Sequence, residues 1–118
     1  WREGGADYYG CDCWGLVRLV YYDELGIVLP EYGPDDPRPR ERIVDAEVLR
    51  WERVEGAWRD GDVALLTAGR APVHVGLIAD GHRLLHALPS GARLDDLRRG
   101  HWRARVRGVY RWTAVARS

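Results

Sequence analysis

The chain has 118 residues, of which 46% are hydrophobic and 31% charged, and its net charge is zero. That length supports one domain spanning 1–118, large enough to bury roughly two thirds of the surface its unfolded form exposes, and the composition excludes a disordered or membrane-embedded chain. Balanced charge gives no electrostatic reason to expect a nucleic-acid partner, and no apolar run approaches the roughly 20 residues of a membrane-spanning helix.

All 18 basic residues are Arg, and Lys, Asn, Gln, Phe and Met are missing, a bias typical of a GC-rich genome. A chain that opens on Trp1 without Met is expected to be truncated at its N-terminus, so the lack of a leader carries no message about export. The two cysteines, Cys11 and Cys13, stand one residue apart. A bridge across that gap would be strained, which leaves a thiol with a task, a metal ligand, or simple packing.

In chain order, Cys13 to Leu25 places apolar residues at Leu16, Val17, Val20, Tyr21 and Leu25, the spacing of a helix. Asp12 is placed to cap its start, and Gly26 sits where a left-handed C-terminal residue is expected. The stretch 29–40, LPEYGPDDPRPR, holds four of the six prolines and reads as a surface loop. A second, shorter helix is predicted over 41–51. Strands are predicted over 62–66, 73–79, 83–88 and 105–112, with Asp60-Gly61 and Asp80-Gly81 supplying turns. A helix followed by hairpin-spaced strands predicts an α+β fold, an antiparallel sheet packed against the first helix. The mixed charges of 41–53 read as a solvated helix face. The Arg-rich stretch 98–111 reads as a strand edge with outward arginines rather than a site for an acidic polymer.

The chemistry concentrates on three residues. Cys13 falls at the first turn of the predicted helix, where unpaired amides favour thiolate and can bind an oxyanion; the bland reading is a small buried hydrophobe. His74 and His86 lie inside apolar strand segments, whereas His82 and His101 lie in turn-like contexts. A satisfied structural histidine is the plain alternative for each, but the two segments should pair as a hairpin. An odd-numbered loop centred on Asp80, with Gly81 left-handed, puts His74 and His86 directly opposite on one face; a two-residue turn puts them on opposite faces. The odd loop is predicted. His74 then serves the Cys13 proton, and His86, a neutral third member, orients His74. Gly76, on the His74 face, is expected to let the helix bearing Cys13 approach.

Asp12-Cys13-Trp14-Gly15-Leu16-Val17 resembles the nucleophile motif of NlpC-type cell-wall peptidases, which are papain-like cysteine peptidases. Gly4-Gly5 resembles the paired glycines before it, Gly61-Asp62-Val63 the residues that open the strand before the histidine, and His74-Val75-Gly76-Leu77 the histidine strand; His86 falls at the third polar position. Trp14 with Leu16-Val17-Arg18, Val20-Tyr21 and the segment from Glu24 to Pro30 resembles the branch found in bacteriophage tails and gene-transfer agents. The resemblance implies a papain-like fold whose N-terminal helix carries the nucleophile Cys13, with His74 and His86 completing the catalytic set and no cofactor. It implies hydrolysis of peptidoglycan stem peptides, commonly between γ-D-glutamate and a diamino acid. Other tail or baseplate proteins would be its neighbours, in a virion tail acting at the periplasm or cell wall. It also implies substrate-binding roles for Asp12, for Trp1 in place of a family tyrosine, and for Trp14 in place of a serine. Tyr8 and Tyr9 are near enough to stand in for Trp1.

Two other readings compete. Cys11, Cys13, His74 and His86 together have the donor chemistry of a zinc site, although Cys-x-Cys is an unusual spacing and a metal would quench the thiolate. A catalytically silent assembly or wall-binding module could also keep the fold, but it would place no demand on Cys13, His74 and His86 together.

Overall fold

Helix α1 (Cys13–Leu25) occupies the span that its apolar spacing predicts. It stops at Gly26, whose φ is +66°. The Gly26 and Ile27 amides donate to the Tyr22 and Tyr21 carbonyls, each at 3.1 Å, and so satisfy groups the helix end leaves over. The computed structural model describes residues 13–32, 37–38, 40–68, 71–88 and 90–113. After α1 come α2 (Arg40–Val48), β1 (Trp51–Arg53), β2 (Val63–Ala68), β3 (Ala71–Ala79), β4 (Arg83–Leu88), β5 (Gly91–Asp96), a 3-10 turn (Arg103–Arg105) and β6 (Val106–Trp112). The strands form one six-stranded sheet in the order β1-β6-β2-β3-β4-β5, antiparallel throughout. The architecture is a helix on an antiparallel sheet, an α+β fold.

Three expectations are corrected. Helix α2 ends at Val48 rather than Trp51, because the Arg50 amide turns back onto the Glu47 carbonyl at 2.9 Å and Trp51 joins the sheet opposite Trp112. Strand β5 was not expected; its sequence, GARLDD, reads as a polar turn, yet it pairs with β4 from Leu88↔Gly91 to Arg83↔Asp96. Strand β6 is not an edge, since the three residues of β1 cover it on the side away from β2.

Alternation along the strands creates two buried faces. Val63, Val75 and Leu77 face Val17 and Tyr21 of α1, with Trp51 and Leu29 closing the cluster. Ala87 packs against Leu16 of the same helix. On the other face, Ala64, Leu66, Ile78, Leu84 and Val109 are covered by Leu97 and Trp102 from the segment after β5. No helix among the described residues is long and apolar enough to cross a membrane.

A buried ion pair ties the ends of the sheet segment together. Asp62, 2% exposed, accepts from Nε and Nη2 of Arg111, both at 2.8 Å, and from the Arg59 amide at 2.8 Å. The Gly61 carbonyl beside it accepts from the Tyr21 hydroxyl of α1. Arg111→Ala would strand a buried carboxylate and should lower stability by about 3 kcal/mol. Urea unfolding reads this, and a loss below about 1 kcal/mol would show that solvent replaces the guanidinium there.

Candidate active site

The β3–β4 hairpin sets the site. Ala79 pairs with Arg83, so the loop has three residues, an odd number as predicted, but its centre is Gly81 rather than Asp80. Asp80 and Gly81 both take positive φ, 55° and 73°, the sign that primed hairpin turns require. Parity keeps His74 and His86 on one face, displaced diagonally by two residues instead of directly opposite. The rings still meet: His74 Nε2 and His86 Nδ1 are 2.8 Å apart.

Gly76 makes the diagonal possible. A Cβ built there would lie 2.6 Å from Leu84 Cδ1, 3.0 Å from His86 Cβ and 3.0 Å from the Leu85 carbonyl oxygen. The three nearest obstacles are therefore all on β4, which corrects the expectation that Gly76 clears space for the helix. A bulge adds a further local bend: between the pairs Leu66↔His74 and Ala68↔Ala71, β3 advances three residues while β2 advances two.

Both histidines are buried, His74 at 6% and His86 at 0% exposure. The Trp102 ring covers them from outside the sheet, its centroid 4.6 Å from that of His86 and 5.7 Å from that of His74. Behind the pair stands a residue the sequence did not single out. Asp95 of β5 places Oδ2 2.7 Å from His86 Nε2, and its Oδ1 accepts from Arg93 Nη2 at 3.0 Å. Burial depresses the His86 pKa below its ordinary 6.5, and the Asp95 hydrogen bond opposes that shift without cancelling it. Burial would raise Asp95, but the His86 hydrogen bond and Arg93 together hold its carboxyl below its ordinary 3.8. The resting arrangement is a neutral imidazole against a carboxylate.

Cys13 is the first residue of α1 and half-buried. It packs against the cluster that contains Val75, the chain neighbour of His74. Trp14, also half-buried, donates from its indole Nε1 to the Pro30 carbonyl at 2.8 Å, with its ring centroid 6.0 Å from that of Tyr32. Trp1, Gly4, Gly5, Tyr8, Tyr9, Cys11 and Asp12 lie outside the described residues. Among the described residues no group of three or more His, Cys, Asp or Glu side chains is arranged to hold a metal ion. The facing nitrogens of His74 and His86 are bonded to each other, which leaves that pair of donors turned away from a shared metal.

Residues 1–111 match the NlpC/P60 family. The chain belongs to that family. It is also similar to the murein DD-endopeptidase MepS/murein LD-carboxypeptidase of Escherichia coli strain K12, with 24% identity over 106 residues, 89% of this chain and 51% of that protein. The same protein from strains O6:H1 and O157:H7 matches to the same extent. The chain thus spans about half the length of the curated relatives it matches.

Asp95 could have been sought from one signal alone. If β4 continues into a second hairpin, residues of the next strand share a face with His86 at alternate positions, and the pairs Leu84↔Asp95 and His86↔Arg93 bring both charges to that face.

Two outcomes follow. Gly76→Ala should push the Leu84 and His86 side chains aside and destabilise the fold by roughly 1–3 kcal/mol; a thermal melt within a degree or so of wild type would show that β4 yields freely. His86 and Asp95 both bind protons more weakly folded than unfolded, so the unfolded chain takes up more protons as pH falls. Stability should drop below about pH 6.5 as the His86 contribution is lost, and again below about 3.8 for Asp95. Melting temperatures across that range check it: His86→Gln should flatten the first decline, and an unchanged slope would assign it to another group.

Proposed function

We propose that this chain is a cysteine peptidase that hydrolyses peptidoglycan stem peptides, with Cys13 as nucleophile, His74 as its base and His86 as the residue that orients the base. The observation that carries the reading is the buried imidazole pair at 2.8 Å. Its members stand on the strand with the His74-Val75-Gly76-Leu77 motif and on the next strand, beneath an aromatic cover, in a family member whose helix opens on a cysteine. With Nε2 of His74 committed to His86, Nδ1 is the nitrogen that serves the thiol. In this reading His74 serves the thiol at the N-terminal start of α1 across the N-terminal half of β3, where the bulge bends the strand.

The chemistry then runs in two stages. The Cys13 thiolate, favoured by the amides of the first helical turn, attacks the scissile carbonyl carbon, and the same amides stabilise the oxyanion. The tetrahedral species collapses to a thioester as the His74 imidazolium protonates the departing amine. His74 next takes a proton from water, the resulting hydroxide equivalent attacks the thioester, and the thiol returns. Asp12, Trp1 and Trp14 are the proposed substrate contacts, by their place in the family motif.

The bond between γ-D-glutamate and a diamino acid is the proposed target, from the motif resemblance; the E. coli relatives bear the names of a DD-endopeptidase and an LD-carboxypeptidase acting on murein. The resemblance around α1 supports a setting at a phage-like tail tip, among tail or baseplate proteins.

Purified peptidoglycan incubated with the wild-type chain and with Cys13→Ala should yield new stem-peptide fragments from wild type alone, at a rate at least about 1,000-fold above the variant. Mass spectrometry of the muropeptides then identifies the bond. Equal release by both proteins, or none by folded and reduced wild type, would overturn the peptidase reading and favour a wall-binding or assembly module.

A further inference from the structure

We propose that Asp95 is a positioning residue: its carboxylate holds His86 in the Nε2–H tautomer, and through it decides which nitrogen of His74 acts as base. The proposal rests on the peptidase reading for its consequence in catalysis, but the tautomer assignment does not depend on that reading.

An ionised carboxylate can only accept hydrogen bonds. Asp95 Oδ2 lies 2.7 Å from His86 Nε2, so that nitrogen carries the hydrogen and donates. His86 is fully buried and neutral, hence its Nδ1 is an unprotonated acceptor. The partner of Nδ1, at 2.8 Å, is Nε2 of His74, which must therefore be the donor. In neutral His74 this leaves Nδ1 with a lone pair, the form a general base needs; after it takes a proton, the imidazolium keeps both hydrogens and His86 stays neutral. In the opposite tautomer His86 Nδ1 would donate, His74 Nε2 would accept, and His74 Nδ1 would carry a hydrogen and be no base.

The fold enforces the first arrangement. Asp95 and Arg93 reach the His86 face by the period of two along β5, and the Arg93 guanidinium holds Oδ1 at 3.0 Å, leaving Oδ2 for His86. Other described groups near the rings are engaged elsewhere: Trp102 covers the imidazoles, His101 stacks on Trp102, and the Arg105 guanidinium lies 5.4 Å over the indole. Among the described residues Asp95 is thus the acceptor that the His86 Nε2–H meets.

Asp95→Asn makes the sharpest test. Its amide oxygen is drawn to Arg93, which turns the NH₂ toward His86 Nε2 and demands an acceptor there. In ¹⁵N-histidine-labelled wild type, long-range ¹H–¹⁵N spectra should show both His74 and His86 protonated at Nε2. In Asp95→Asn both should shift toward the Nδ1–H form, and kcat on stem-peptide substrate should fall about 100-fold or more with KM within about threefold. Asp95→Ala, the second variant should the first not fold, is expected to give mixed tautomers and a loss of about 10- to 100-fold. Unchanged tautomers in a folded variant, or kcat within threefold of wild type beside a melting temperature like wild type, would overturn the proposal. Inactive wild type with the expected tautomer shift would defeat the peptidase reading instead and leave the Asp95 assignment standing.

Discussion

Three side chains on three successive strands meet because both hairpins that join them preserve the face of the sheet. His74, His86 and Asp95 lie on β3, β4 and β5, and the registers Ala79↔Arg83 and Leu84↔Asp95 are all that brings them into line. A slip of one residue in either turn would send one of them to the α1 face and break the chain of hydrogen bonds. The structure pins the first turn accordingly. The Asp80 amide donates to the Asp60 carboxylate at 2.6 Å, the His82 amide to the Ala79 carbonyl at 3.2 Å, and the Leu97 amide to the His82 carbonyl at 2.7 Å. Asp80, the sole non-glycine with positive φ among the described residues, accepts a strained backbone in exchange for that register.

Burial on both faces gives the hydrogen bonds their effect. Inside a low-dielectric layer a hydrogen bond is stronger, and an unmade one costs correspondingly more. The imidazole pair meets that condition by passing its hydrogen bonds outward to a carboxylate on the edge strand, where Arg93 and solvent share the charge. No buried side-chain nitrogen or oxygen among the described residues lacks a partner. Trp102 completes the arrangement from the opposite side. Its ring covers the histidines without offering them an acceptor, which leaves that part to Asp95 in the proposed arrangement.

The expected neutral third member therefore has a carboxylate behind it. In the proposed mechanism His86 does not only tilt His74; it transmits the preference of an acceptor two strands away. The distinction matters for a thiol nucleophile, because such a thiol needs a base with its lone pair facing the right way more than it needs added negative charge. The chain belongs to the NlpC/P60 family and spans about half the length of the E. coli murein enzymes it matches.

The sequence by itself determined the local features. Helix α1 was legible from apolar spacing and from Gly26, because helical periodicity and a left-handed glycine are properties of a short stretch of chain. The cysteine at its start, the strand with His74, the second strand with His86 and their shared face were legible too, since period-two parity depends only on loop length being odd. Only the tertiary structure decided the rest. Whether the loop centres on Asp80 or Gly81 is settled by contacts with Asp60 and Leu97, far from the turn in sequence. Strand β1 exists only because Trp51 finds Trp112, and β5, with charges at three of its six positions, becomes a strand only by pairing with β4. Asp95 was hidden for the same reason: a carboxylate acquires its role from the residue across the sheet, and that partner is fixed by register rather than by any pattern in the chain.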